Sequence, residues 1–318
     1  MVTRLRIATR GSQLALWQAH AVRDALQGTH PGLGVDVKVI HTTGDRVLDV
    51  PLSRIGDKGL FTKELDLALL RGEADLAVHS LKDVPTRLPD GLALAAVTRR
   101  EDPRDVLLLP AGRGGSLADL PAGARVGTSS LRRRAQLRAI RPDLEVVDLR
   151  GNLNTRLARL DAGDFDAIIL AAAGVRRLGW EDRIACALEP PEWLPAVGQG
   201  ALAIVCRRDD APTQSLLAPL HDPSTAACVA AERAFLAALE GGCQIPIGAL
   251  GVLEGDRLVL NGLVADLDGD PVLRDQIAGA AAEAVQLGMR LADRLAAVGA
   301  TEILDGIRAR VAPGVPAP

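Results

Sequence analysis

A strand, a short polar turn and a helix follow one another at the start of the chain, and the same succession restarts near residue 125. This repeat limits the fold more than any other feature. Leu5 to Thr9 reads as a strand, Arg10, Gly11 and Ser12 turn it into a helix from Gln13 to Leu26, and Val35 to His41 reads as a second strand. Lys58 to Arg71 carries an apolar stripe at Leu60, Phe61, Leu65, Leu67, Ala68 and Leu69, as a helix would. Asp75 to His79 and Leu92 to Val97 read as short buried strands. Strands alternating with helices predict an α/β fold with a mostly parallel sheet.

Thr98 to Pro103 is a charged break where the chain is expected to cross into a second lobe. There the grammar repeats. Arg125 to Gly127 ends a strand, Thr128, Ser129 and Ser130 cap a helix to Ile140, and Leu144 to Leu149 is a strand. Asn152 caps a helix to Leu160, Asp166 to Leu170 is a strand, and a short helix covers Ala171 to Leu178. Glu189 to Pro195 closes the lobe, and the strand Ala201 to Cys206 is expected to return to the first. Two crossings imply two hinged lobes around a cleft. From Asp222 onward come a helix to Leu239, strands at Gly248 to Leu253, Arg257 to Ala265 and Pro271 to Ile277, and a helix from Ala280 to Val298. The expected division is 1–98 with 200–219, then 99–199, then a small α+β domain at 220–318.

Composition excludes several functions. The net charge is −3, and the chain has three Trp, three Phe and no Tyr, which is poor material for stacking on nucleic acid. The four cysteines, Cys186, Cys206, Cys228 and Cys243, form no C-x-x-C pair, so neither a zinc site nor a disulfide framework is expected. The sequence shows no apolar signal segment and no apolar run long enough for a membrane span, so a cytoplasmic protein is expected. Lysine is rare: only Lys38, Lys58, Lys63 and Lys82 occur, which draws attention to Lys58 and Lys82.

Residues 125–159 hold nine arginines. Arg132, Arg133, Arg150 and Arg156 lie at strand ends and helix starts, on the sheet edge where α/β proteins bind ligands. Their guanidiniums suit carboxylates or phosphates. Arg134, Arg138, Arg141 and Arg159 lie further along their helices and read as a solvated face. Arg10, Gly11 and Ser12 repeat the strand-end form, with Ser12 a plausible cap. His79, Ser80, Lys82 and Asp83 then end a buried strand. Asp83 is either a solvated turn residue before Pro85 or a carboxylate set among cations. The segment Leu239 to Gly248 places Cys243 on a loop after Gly241 and Gly242, where it is either a small buried hydrophobe or a thiol with room around it.

Seven stretches together resemble the porphobilinogen deaminase family: Ile7 to Ser12, Lys58 to Leu65, His79 to Pro85, Gly127 to Arg133, Arg150 to Arg156, Pro195 to Gly200 and Glu240 to Gln244. They occur in the family's order over nearly the whole chain. The resemblance implies two lobes like type II periplasmic binding proteins, with mixed, mostly parallel sheets, plus the small C-terminal domain. It implies a transferase that joins four porphobilinogens head to tail, each losing ammonia, on a dipyrromethane held by a thioether to Cys243. Hydrolysis then frees hydroxymethylbilane. Asp83 matches the catalytic aspartate, helping protonate the leaving amine and stabilising the azafulvenium cation. Ser80, Lys82, Asp83, Ser130, Arg132 and Arg133 match cofactor-holding positions. Arg10, Ser12, Arg150, Arg156 and Arg177 match positions that hold carboxylates of the substrate chain, and Lys58 and Gln199 lie in matching loops. A cytoplasmic monomer without nucleic-acid or membrane partners is implied. Arg54 stands where lysine is common, and Thr43 replaces an arginine. The rival readings are a two-lobed solute-binding protein, which needs neither Cys243 nor Asp83, and a nucleic-acid binder using the Arg-rich segment.

Overall fold

The structure is a computed structural model that describes residues 2–42, 61–239 and 245–311. The chain begins with β1 (Arg4–Thr9), α1 (Gln13–Thr29), β2 (Gly34–Val39), α2 (Lys63–Leu70), β3 (Leu76–Ser80) and β4 (Leu92–Val97). It continues with β5 (Asp105–Leu108), β6 (Arg125–Gly127), α3 (Leu131–Ile140), β7 (Glu145–Val147), α4 (Leu153–Asp161), β8 (Ala167–Ala171), α5 (Ala172–Arg177) and β9 (Ile184–Leu188). The remainder is β10 (Leu202–Arg207), α6 (Ala211–Leu217), α7 (Pro223–Ala238), β11 (Ile247–Glu254), β12 (Arg257–Ala265), β13 (Val272–Ala280), α8 (Ala284–Ala296) and α9 (Ala300–Val311).

Two sheets of five strands share one plan. The first runs β2-β1-β3-β10-β4, with β1 parallel to β2 and β3, and β10 antiparallel to β3 and β4. The second runs β7-β6-β8-β5-β9, with β6 parallel to β7 and β8, and β5 antiparallel to β8 and β9. Each sheet thus has one opposed strand, and each receives it across a change of unit. Residues 2–42, 61–101 and 200–226 pack as one compact unit, and residues 102–199 and 227–311 as another. β5 comes after the first change of unit and β10 after the second. Twice-made, mixed and mostly parallel, this agrees with the architecture that the resemblance implies, with a small C-terminal sheet and its helices added.

Local chemistry explains the elements. Ser12, Ser130 and Asn152 cap α1, α3 and α4 by accepting from the backbone N–H groups of Ala15, Arg133 and Thr155. The central strands β3, β8 and β10 are apolar and buried along nearly their whole length, as strands covered on both faces must be. Gly200, at φ +95°, lets the returning chain lie against Arg100 and Glu101, since a Cβ there would overlap the Glu101 carbonyl oxygen.

The C-terminal sheet, β11-β12-β13, is an antiparallel meander. Its core includes Phe235 of α7, Leu258 and Leu260 of β12, and Leu287, Leu291 and Leu295 of α8. Burying a ring such as Phe235 contributes roughly 2–3 kcal/mol. Gly288 brings α8 against α7, because a Cβ there would overlap the Ala231 carbonyl oxygen. The turn Asp266 to Gly269 lies on α3: Arg138 pairs with Asp268 at 2.5 Å. Apolar patterning does not single out β5, β9, α6 or α9. The helix expected from Ala280 starts at Ala284, because β13 runs to Ala280 and a short 3₁₀ turn, Ala281–Glu283, intervenes.

Candidate functional site

In the first unit, β1 and β3 are parallel neighbours, so the residues after each of them gather at one sheet edge. Arg10 and Ser12 come after β1; Ser80 ends β3, and Leu81–Asp83 is a single 3₁₀ turn. The Arg10 guanidinium lies 4.2 Å over the Phe61 ring. Gln18 of α1 is buried and donates to Ser80 Oγ at 2.8 Å, which ties the helix to the strand end. Lys82 and Asp83 are half-buried beside buried Leu81 and Val84. His79 is buried, and burial, aided by the positive charge of Arg10, pushes its pKa down to about 4. Its Nε2 has no hydrogen-bond partner among the described residues. His79 is therefore neutral at pH 7 and adds no charge of its own to this edge.

In the second unit, β7, β6 and β8 are parallel neighbours and gather Arg150 and Ser130 with Arg132 and Arg133 at one edge, while Arg177 ends the short helix α5 that follows β8. Arg150, Arg156 and Arg177 are half-buried, and Arg156 Nε donates to Gly151 O at 2.8 Å. Arg132 and Arg133 are only 4% and 5% exposed, although they stand in the first turn of α3. Their partner is Asp105, at the start of β5 and fully buried. Arg132 Nη1 donates to Asp105 Oδ2 at 2.7 Å, and Arg133 Nη2 to Oδ1 at 2.7 Å. Burial alone would raise the Asp105 carboxyl; the two guanidiniums outweigh it and hold the group far below the usual carboxylate range. Burial pulls the Arg132 guanidinium below its ordinary value; Asp105 opposes this shift and Arg133 adds to it.

Gln199, expected in a substrate-binding loop, is 1% exposed, and its Nε2 donates to Pro103 O, Arg104 O and Asp105 Oδ1. The structure thus places it as a brace within the second unit. Arg134, Arg138, Arg141 and Arg159 each pair with an aspartate, namely Asp148, Asp268, Asp143 and Asp164. Cys206 and Cys228 are buried, and burial raises the Cys206 thiol to about 11. Cys243 and Lys58 lie outside the described residues, as do Thr43 and Arg54. Glu232 of α7 accepts from Gly198 N at 2.7 Å and from Gly251 N of β11 at 2.8 Å, so the helix before the cysteine loop is joined to the strand after it. The sequence alone does not single out the buried carboxylates Asp105 and Glu232. The signal for Asp105 is a lone acid heading the apolar run Val106 to Leu109.

The donor set suits a ligand rich in carboxylates. Arg133 Nε is buried without a partner among the described residues, and two guanidiniums face one carboxylate. A doubly made α/β frame with cationic strand ends defines a protein of the two-lobed class that takes an anionic small molecule.

Comparison with known proteins narrows this. A family model described as the dipyromethane cofactor binding domain of porphobilinogen deaminase matches residues 5–215, and one for the C-terminal domain of porphobilinogen deaminase matches residues 226–297. A curated porphobilinogen deaminase of Syntrophobacter fumaroxidans (strain DSM 10017 / MPOB) is 52% identical over 303 residues, covering 95% of this chain and 97% of that one. The chain belongs to the porphobilinogen deaminase family. Among solved structures, the methionine binding protein MetQ is 14% identical with a TM-score of 0.44, covering 69% of this chain and 90% of its own. The BenM effector binding domain is 15% identical with a TM-score of 0.43, covering 68% and 90%. As a member of its family, the chain is a hydroxymethylbilane synthase of tetrapyrrole biosynthesis: it polymerises four porphobilinogens, with loss of ammonia, on a dipyrromethane cofactor and releases hydroxymethylbilane by hydrolysis.

Proposed function

We propose that this reaction is divided between the two strand-end edges, with Asp83 as the catalytic residue and the arginines of the second unit as carboxylate holders. Dipyrromethane is attached through Cys243 and, when bound, supplies the pyrrole carbon on which the product is built. Ser80, Lys82, Asp83, Ser130, Arg132 and Arg133 hold it. Arg10, Ser12, Arg150, Arg156, Arg177 and Lys58 serve the substrate. The observation that carries the reading is the buried pair Arg132 and Arg133, two cations sharing one carboxylate beside the capping Ser130.

Each residue type suits its task. Loss of ammonia from porphobilinogen breaks a C–N bond, whose electron pair leaves with nitrogen and leaves positive charge on the substrate's pyrrole. The Asp83 carboxyl gives a proton to the departing amine, and its ionised form then faces that charge. A fixed anion stabilises the charge as it develops more than it stabilises the substrate. Lys82 and the arginines bind acetate and propionate groups, where planar guanidiniums give bidentate contacts.

The three-domain division at 1–98 with 200–219, 99–199 and 220–318 belongs to the same proposal. So do a monomeric state and a cytoplasmic location, supported by family membership. No described helix is long and apolar enough to cross a membrane. Intact mass with and without porphobilinogen tests the reading. Wild-type chain and the Cys186→Ala, Cys206→Ala and Cys228→Ala variants should carry the added dipyrromethane mass, and Cys243→Ser should not. A stable adduct on Cys243→Ser would refute the attachment site.

A further inference from the structure

Asp105 is saturated. Its Oδ2 accepts from Arg132 Nη1 at 2.7 Å and from Trp193 Nε1 at 2.8 Å, and its Oδ1 from Arg133 Nη2 at 2.7 Å and from Gln199 Nε2 at 2.8 Å. A carboxylate offers about four lone-pair sites, so no capacity remains. The four donors come from α3 and from the segment that precedes the second change of unit, and they meet at the first residue of the opposed strand. Trp193 is 2% exposed, so the indole closes the cluster from water.

Charge is nonetheless out of balance. Beyond Asp105, the two guanidiniums donate to neutral carbonyls: Arg132 Nη1 to Leu194 O at 2.6 Å, and Arg133 Nη1 to Ile169 O at 2.9 Å. Arg133 Nε, also buried, has no acceptor among the described residues. An uncompensated charge inside a protein is costly, and a second anion relieves the cost. An ordinary structural ion pair would need only one arginine.

We propose that Asp105 is a positioning residue of the dipyrromethane site: it fixes Arg132 and Arg133 with one positive charge in excess, and a cofactor carboxylate completes the cluster. This rests on the proposed role of those two arginines in holding the cofactor. Asp105 touches neither cofactor nor substrate; it acts through the guanidiniums it orients.

The test is the fraction of purified chain carrying dipyrromethane, by intact mass, together with the melting temperature of each variant. Asp105→Asn keeps the volume and loses the charge, so the guanidiniums repel and the loaded fraction should fall at least about tenfold. Asp75→Asn is the stability control. Asp75 accepts from Arg6 N, Nε and Nη2 just before β3, at the other end of that strand from Ser80, and the variant should melt earlier yet stay loaded. Full loading of Asp105→Asn overturns the proposal. So does loss of loading in both variants in proportion to their lost melting temperature. If Asp105→Asn does not fold, Trp193→Phe decides: it removes one donor to Oδ2 and leaves both ion pairs, and reduced loading supports the proposal while wild-type loading overturns it. Arg133→Gln separates the two layers. Its full loading removes the assignment of the arginines and the proposal with it; its failure to load, with Asp105→Asn fully loaded, removes the proposal alone.

Discussion

In the first sheet the opposed strand β10 opens with Leu202, paired with Ser80 at the end of β3; in the second, β5 opens with Asp105, paired with Ala171 at the end of β8. The helices after β1 and β6 correspond as well. Each is capped by a serine, Ser12 or Ser130, and each buries a glutamine, Gln18 or Gln136, at the same distance from its cap. The next matching positions diverge: Leu14 and Ala15 in α1 stand where Arg132 and Arg133 stand in α3. One frame thus holds an apolar trio in one unit and a charged trio in the other. Caps and buried strands set the frame, and these three side chains place a buried charge cluster in the second unit and apolar residues in the first. The first unit instead carries its charge in Arg10 after β1 and in Lys82 and Asp83 after β3, beside a histidine kept neutral.

The largest expected effect comes from that division. Asp83→Asn should fold and carry cofactor while single-turnover ammonia release falls about 10²–10³-fold, the usual cost of losing one preorganised electrostatic group. Asp83→Glu keeps the charge and should retain more activity. Equal rates for the two would make Asp83 a structural turn residue.

Exchanging the trios sharpens the comparison. Leu202→Asp buries a carboxylate where the matching helix positions, Leu14 and Ala15, offer no guanidinium, and should destabilise the chain by up to about 3–5 kcal/mol, the range for an unpaired buried charge. Asp105→Leu strands two guanidiniums and should cost a similar amount. Urea unfolding measures both, and a loss below about 1 kcal/mol for Leu202→Asp would show that the frames do not correspond.

The histidine gives a pH signature peculiar to the first unit. Its pKa drops from 6.5 to about 4 on folding, so below pH 6.5 the unfolded chain binds the extra proton. Stability from this source is present above pH 6.5 and is lost as pH falls through about 4, on the order of 3 kcal/mol in all. His79→Gln should flatten that segment of the stability curve.

The smallest effects belong to the outer arginines. Arg138 pairs with an aspartate side chain that is 68% exposed, and Arg159 with one that is 43% exposed. Alanine at either should cost about 1 kcal/mol or less and leave cofactor loading intact. Losses matching those of Arg132, Arg133, Arg150 and Arg156 variants would favour a generic basic surface.

Much of this is legible in the sequence. Local periodicity and caps expose α1, α3, α4 and α7, and the apolar runs expose β3, β8 and β10. β5 and β9 escape because each is a short strand paired only with distant ones, and β5 is headed by charges at Arg104 and Asp105. The strand-end and helix-start positions of Arg132 and Arg133 are readable locally, but nothing local indicates that Asp105 binds both. Its partners lie between 27 and 94 residues away. For the same reason Gln199 reads as a substrate residue, whereas its amide nitrogen points inward to Asp105.

The most direct test of the division of labour sets Asp83→Asn beside Arg133→Gln, reading cofactor mass and single-turnover ammonia release on the same preparations. The account predicts a loaded but inactive Asp83→Asn and an Arg133→Gln chain largely without cofactor. An Asp83→Asn chain that lacks cofactor, or an Arg133→Gln chain that is loaded and turns over normally, would contradict it.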